Sequence, residues 1–133
     1  VSEFRWPARV YWEDTDGGGI VYYANYLRFL ERARTEWLRA MGFSQQALAR
    51  EPGVLFAVAS LSIDYRRPAR LDDELSITCE PRADGAVCLR FAQRILRAPD
   101  GETLASAEVR VACVDARTLR PTKVPEALCA VLK

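Results

Sequence analysis

Between Tyr26 and Met41, apolar side chains recur at Tyr26, Leu30, Ala33, Trp37 and Met41, spaced 4, 3, 4 and 4 residues. This is the period of one helix face, and Leu27 and Leu38 widen the stripe. Asn25 suits an N-cap and Gly42 the position just past the C-terminus. About seventeen residues at 1.5 Å each predict a rod of roughly 25 Å. Its other face carries Arg28, Glu31, Arg32, Arg34, Glu36 and Arg39. No second long helix follows. Ser44 caps at most a short one through about Leu48, ended by Pro52-Gly53. A lone helix with a wide apolar stripe must bury it, and only a sheet offers the area.

The remaining chain supplies strands. Residues 8–13 alternate, with Ala8, Val10 and Trp12 opposite Arg9, Tyr11 and Glu13, and predict a half-buried strand. Val54 to Arg67 reads as one extended segment halted at Pro68, with Leu61, Ile63 and Tyr65 alternating with Ser60, Ser62 and Asp64. After a turn at Asp72-Asp73, Glu74–Glu80 places Leu75, Ile77 and Cys79 on one face. Ala83-Asp84-Gly85 turns the chain into Val87–Leu96, and Pro99-Asp100-Gly101 turns it into Thr103–Val114. The expected architecture is α+β: one strand, one long helix, then a four-stranded antiparallel meander. A strongly curved sheet of about five strands packs on the helix in a single domain, 1–133. The last eighteen residues are basic and proline-punctuated. Long bare edges invite association, so the Val54–Arg67 edge predicts a homodimer or higher oligomer.

Composition narrows the chemistry. The chain has 133 residues, enough to bury one core unaided, and its 50% hydrophobic and 28% charged residues argue against disorder. Nineteen basic against 18 acidic residues leave +1, without the electrostatic footprint of a nucleic-acid binder. There is no histidine, which removes Ser-His-Asp and Cys-His catalysis and imidazole-based metal sites. The four cysteines form no CxxC pair and read as reduced thiols in a cytoplasmic protein, with a Cys79–Cys88 cross-strand disulfide as the lesser alternative. Val1-Ser2-Glu3-Phe4 carries no leader pattern, and the weakly polar run Gly53–Leu61 is far short of a membrane span.

Without histidine, acid–base work falls to carboxylates, Lys, Tyr or Cys. Asp16 stands before Gly17-Gly18-Gly19, and a helix start follows. Helix starts present unpaired N–H groups at the positive end of a dipole. A carboxylate beside such groups is the skeleton of a carbonyl-attacking site: it activates water or attacks, and the amides hold the oxyanion. Asp16 is equally readable as a residue of a glycine turn. Asp14 reads as a loop cap and Glu13 as solvated. The glycines lack the Lys-Ser/Thr of a phosphate loop and the spacing of a dinucleotide fingerprint. Arg66, Arg67 and Arg70 are offset by neighbouring acids. Arg117, Arg120 and Lys123 have no acid among them after Asp115; they read as a phosphate-holding group or as solvated surface.

The string Val10-Tyr11-Trp12-Glu13-Asp14-Thr15-Asp16-Gly17-Gly18-Gly19-Ile20-Val21-Tyr22-Tyr23-Ala24-Asn25-Tyr26 resembles the active-site segment of hot-dog acyl-CoA thioesterases of the 4-hydroxybenzoyl-CoA and Tol-Pal-associated types. Phe29–Arg34 resembles their central helix, Arg67–Asp73 their strand-turn segment, and Val114-Asp115 with Lys123-Val124-Pro125 their C-terminal end. The resemblance implies the hot-dog fold, edge-to-edge dimers and often tetramers. It implies hydrolysis of acyl-CoA to acid and free CoA with no cofactor or metal. Asp16 would be the catalytic carboxylate, as base or nucleophile, and the Tyr23 backbone N–H would bind the thioester oxygen. Gly19 would belong to the substrate-binding loop. CoA would lie along the subunit interface, its phosphates near basic residues such as Arg120 and Lys123. Tol-Pal-associated members usually carry His where this chain has Tyr23; the hydroxybenzoyl type carries Tyr. A histidine-dependent dehydratase and a non-catalytic acyl-CoA-binding or assembly module are the rival readings.

Overall fold

The long helix forms where its stripe predicts. In the computed structural model, which describes residues 3–132, α1 spans Tyr26–Ala40. Val1 and Ser2, half of the segment read as lacking a leader, lie outside the described residues, as does Lys133. The buried face of α1 is Tyr26, Phe29, Leu30, Ala33, Trp37 and Leu38. Phe29 takes the place expected for Met41. It is three residues past Tyr26 and four before Ala33, hence on the same face, whereas Met41 is the exposed C-cap. Gly42 has φ 94° and ends the helix, with Phe43 N–H donating back to Leu38 O. Asn25 stands at the N-cap position, but its side chain makes no capping hydrogen bond. It belongs to a 3₁₀ turn, Tyr23–Asn25, that winds directly into α1, and its side chain donates to the Asp14 carbonyl instead. The short helix α2, Gln45–Arg50, is capped as expected by Ser44, whose hydroxyl accepts from Ala47 N–H at 3.1 Å.

Five strands form one antiparallel sheet: β1 Phe4–Arg9, β2 Val54–Tyr65, β3 Glu74–Asp84, β4 Cys88–Ala98 and β5 Glu102–Asp115, in the order β1-β3-β4-β5-β2. The first strand stops at Arg9 rather than residue 13. The Asp14 carboxylate accepts Tyr11 N–H and Thr15 N–H closes on Trp12 O, so residues 12–14 coil into a 3₁₀ turn and Trp12 faces solvent. Only β3, β4 and β5 form a meander; the four-stranded one expected does not occur. β2 lies beside β5 at the opposite edge from β1. The segment after β2 crosses the strand ends instead of turning back. Arg66 and Arg67 N–H donate to Leu104 O, and Arg97 donates to Pro68 O at 2.9 Å.

The β2–β5 register shifts between Val58 and Ser60, leaving Ala59 as the extra residue of a bulge. Val54, Phe56 and Val58 precede it; Leu61, Ile63 and Tyr65 follow it. Both sets oppose the same inward-facing series of β5, Val111 and Cys113 before the bulge and Ala105, Ala107 and Val109 after it. A one-residue change of phase therefore keeps the apolar side of β2 on the helix side and turns Ser60, Ser62 and Asp64 away. The core joins this face to α1, with Trp37 edge-on to Phe91. A third helix, α3 Glu126–Ala130, forms in the tail and buries Leu128, with no counterpart in the expected elements. All four cysteines are free thiols. Cys79 opposes Phe4 while Cys88 opposes Asp84, too far along β3 to be bridged. No helix among the described residues is long and apolar enough to cross a membrane.

Candidate active site

The glycine loop is built on Asp14. This residue is buried; its carboxylate takes Tyr11 N–H at 2.9 Å, and its carbonyl takes Tyr22 N–H at 3.0 Å and the Asn25 side chain at 2.9 Å. Asp14 is thus the loop cap expected of it. Thr15 and Val21 then pair as a short antiparallel bridge, and Asp16 N–H donates to Ile20 O at 2.9 Å. Residues 16–20 close between these contacts, a path that needs φ 88° at Gly17 and 93° at Gly19. Leu71 N–H donates to Gly19 O and Val21 N–H to Ala69 O, strapping the loop to residues 69–71. Asp16 is exposed, and its Oδ1 accepts Gly18 N–H at 2.6 Å. Among the described residues its Oδ2 has no hydrogen-bond partner, so one carboxylate oxygen is anchored and the other is available.

Directly after this loop stands the 3₁₀ turn. Asn25 N–H donates to Tyr22 O at 2.8 Å, which closes the turn. The N–H groups of Tyr23 and Ala24 precede that bond, so the turn offers them no acceptor. Neither donates to a backbone carbonyl elsewhere among the described residues. Two amide donors at a helix start and a carboxylate with a free oxygen are therefore carried on one unit clamped by the Thr15–Val21 bridge.

Two tyrosines secure this unit, and sequence reasoning counted both only as packing residues. Tyr26 Oη accepts Ala69 N–H at 2.9 Å, and its burial pushes the phenol pKa up. Tyr65 O–H donates to the Tyr23 carbonyl at 2.8 Å, and its ring stands edge-on to Tyr26 and Tyr23. The usable signal was a tyrosine at one end of each apolar series, Tyr26 opening the helix stripe and Tyr65 closing the β2 series.

Of the residues expected at the site, Asp16 and Gly19 share the glycine loop, and Tyr23 follows it, directly after Tyr22, whose N–H is held by the Asp14 carbonyl. Arg120 and Lys123 are exposed and lie elsewhere. Asp115 N–H donates to Arg120 O, and Asp115 pairs with Val54 at the start of β2, whereas Tyr65 ends it. That strand, at about 3.3 Å per residue, separates the two ends by roughly 35 Å. Two apolar clefts along α1 are not lined by Asp16. One runs between α1, α2 and β2, past Arg34, Trp37, Phe56 and Val58; another continues along α1 past Leu27, Leu30 and Leu61. Tyr22 and Tyr23 stand open to solvent. No cluster of potential metal ligands occurs among the described residues.

The family model described as the thioesterase-like superfamily matches residues 10–132. The acyl-CoA thioester hydrolase YbgC of Escherichia coli O6:H1 is 49% identical over 130 residues, covering 98% of this chain and 96% of that protein. The acyl-CoA thioesterase YbgC of Haemophilus influenzae is 46% identical over 123 residues, covering 92% of this chain and 89% of its own. The crystal structure of a probable thioesterase from Bartonella henselae matches with a TM-score of 0.87 and 34% identity, covering 93% of this chain and all, 100%, of the other. With its sheet, its helix and its carboxylate loop in these places, the chain belongs to the thioesterase-like superfamily of hot-dog proteins, as an acyl-CoA thioesterase.

Proposed function

We propose that the chain hydrolyses an acyl-CoA thioester to the free acid and CoA, with Asp16 as the reacting carboxylate and the Tyr23 N–H as oxyanion donor. Asp16 either draws a proton from the attacking water or attacks the thioester carbonyl itself. In both cases negative charge grows on the carbonyl oxygen, and the CoA sulfur leaves as that charge collapses; where Asp16 itself attacks, water then hydrolyses the acyl–Asp16 anhydride to the free acid and restores the carboxylate. An amide fixed at a helix start meets this charge without reorganising. The observation that carries the proposal is the half-anchored Asp16 carboxylate on the same clamped unit as the free amides of Tyr23 and Ala24. Asp16→Asn keeps the shape and removes the base. A thiol-release assay should show turnover down about 10²–10⁴-fold, the scale of a positioned acid–base group. Turnover within a few-fold of the parent refutes the assignment.

The working form we propose is a homodimer joined along β2. Val58, Leu61 and Tyr65 are exposed on this 12-residue edge, and the site beside it is open in a single chain. A two-fold axis across an antiparallel β2–β2 contact would set the Val54 end of one protomer against the Tyr65 end of the other. Arg120 and Lys123 would then serve the CoA phosphates at the partner's Asp16, which answers their separation within one chain. Free thiols at Cys79, Cys88, Cys113 and Cys129 support a reducing, cytoplasmic setting.

A further inference from the structure

We infer that Tyr65 is a positioning residue, whose hydroxyl holds the Tyr23–Asn25 turn in the orientation that presents its amides to the reacting oxygen. The inference rests on the reading of that turn as the oxyanion cradle.

Tyr65 reaches the turn because of the bulge at Ala59. The shift of phase puts Tyr65 on the helix side of β2, in the series of Leu61 and Ile63. From there its ring packs edge-on against Tyr26, centroids 5.2 Å apart, and against Tyr23 at 6.4 Å. Its hydroxyl donates to the Tyr23 carbonyl at 2.8 Å. Among the described residues this is the one side-chain hydrogen bond that the turn's carbonyls receive. The other restraints act before the Tyr23 peptide or at the far end of the turn: those from residues 69–71 hold Gly19, Ile20 and Val21, the Asp14 carbonyl holds Tyr22 N–H and the Asn25 side chain, and Tyr22 O takes Asn25 N–H.

The carbonyl of Tyr23 and the N–H of Ala24 belong to one planar peptide. A donor on that oxygen sets the plane of the peptide and further polarises its N–H. Fixing the plane also limits rotation about the Tyr23 backbone, and hence the direction of the Tyr23 N–H. Partial burial together with the neighbouring phenols of Tyr26 and Tyr23 raises the Tyr65 pKa, so the proton it donates is retained over the working pH range. The edge strand and the oxyanion turn are 42 residues apart in sequence and are joined by this bond.

Tyr65→Phe keeps the ring and deletes the donor. The expected result is a fall in kcat of about three- to tenfold, the scale of one neutral hydrogen bond. KM and the melting temperature should change little, whereas a merely structural role would move stability or substrate binding. Tyr23→Pro removes the amide hydrogen and should fall far below Tyr23→Ala, which loses only the ring. Tyr22, at φ −63° and ψ 132°, already has the extended backbone that a following proline demands. On the Tyr23→Pro background, Tyr65→Phe should cost less than in the parent, because only the Ala24 N–H is left for the hydroxyl to orient. An unchanged kcat in Tyr65→Phe, a loss confined to KM, or an undiminished loss on the proline background overturns the role of Tyr65 and leaves the cradle standing. Tyr23→Pro as active as Tyr23→Ala removes the cradle and the inference with it.

Discussion

Gly18→Ala is a single-methyl probe of the Asp16 carboxylate. Gly18 lies outside the left-handed region, unlike Gly17 and Gly19, so alanine meets no backbone penalty there. The added Cβ would stand 3.1 Å from Asp16 Oδ1, 3.8 Å from Cγ and 3.9 Å from Oδ2. The first of these is tighter than ordinary packing, so the carboxylate must retreat by a few tenths of an ångström and loosen its 2.6 Å hydrogen bond from Gly18 N–H. A displacement of about 1 Å at a reacting group costs roughly 10²-fold in rate, so a shift near half that size should cost on the order of tenfold in kcat. Stability should be nearly unchanged. Gly19→Ala has the opposite signature. Its Cβ meets nothing within 4 Å, but φ 93° strains alanine, costing about 1–2 kcal/mol of stability. Steady-state thiol release together with urea unfolding of both variants tests the pair. A folded Gly18→Ala enzyme within twofold of the parent kcat refutes the claim that the position of Asp16 matters at this precision.

A dimer that shares its sites should be restored by mixing damaged partners. Asp16→Asn chains combined with Arg120→Ala/Lys123→Ala chains should recover up to half the parental activity in the mixed dimer, and no recovery refutes the cross-subunit assignment. Asp14→Ala should cost about 1–2 kcal/mol in urea titration, because Tyr11 N–H loses its partner, while retaining far more turnover than Asp16→Asn; the reverse ranking would exchange the roles of the two aspartates. Burial pushes the Cys79 thiol from its ordinary 9.0 up to about 12. The unfolded thiol ionises above pH 9 while the folded one stays protonated, so its contribution is intact below pH 9. It is then lost up to pH 12 at no more than ~1.4 kcal/mol per pH unit. Unfolding midpoints between pH 8 and 10.5 should fall more steeply in the parent than in Cys79→Ala, and equal slopes refute this.

The amino-acid order alone determined those features whose causes lie within a few residues of one another. The 3.6-residue stripe marks α1, the Asp-Gly turns mark the β3–β4 and β4–β5 hairpins, and Gly17 and Gly19 mark a loop that needs positive φ. The lack of histidine points the proposed chemistry to a carboxylate, and the glycines beside Asp16 set it apart from the loop-capping Asp14. Tertiary structure decided what depends on partners far apart in the chain. Asp14 drew residues 12–14 out of the first strand because Tyr11 N–H found a carboxylate before it found a ladder. β2 went to the edge beside β5 because the segment after Tyr65 is held across the ends of β5 and β4, and no local pattern carries that choice. The bulge at Ala59 is visible only against β5; it turns Tyr65 toward Tyr23 and leaves the serines outside. The roughly 35 Å length of β2 sets Arg120 and Lys123 apart from Asp16. Periodicity and turn chemistry are local free energies, readable one window at a time. Strand order, register and side-chain bonds across the fold are settled only when distant segments compete for the same hydrogen-bonding groups and the same buried surface.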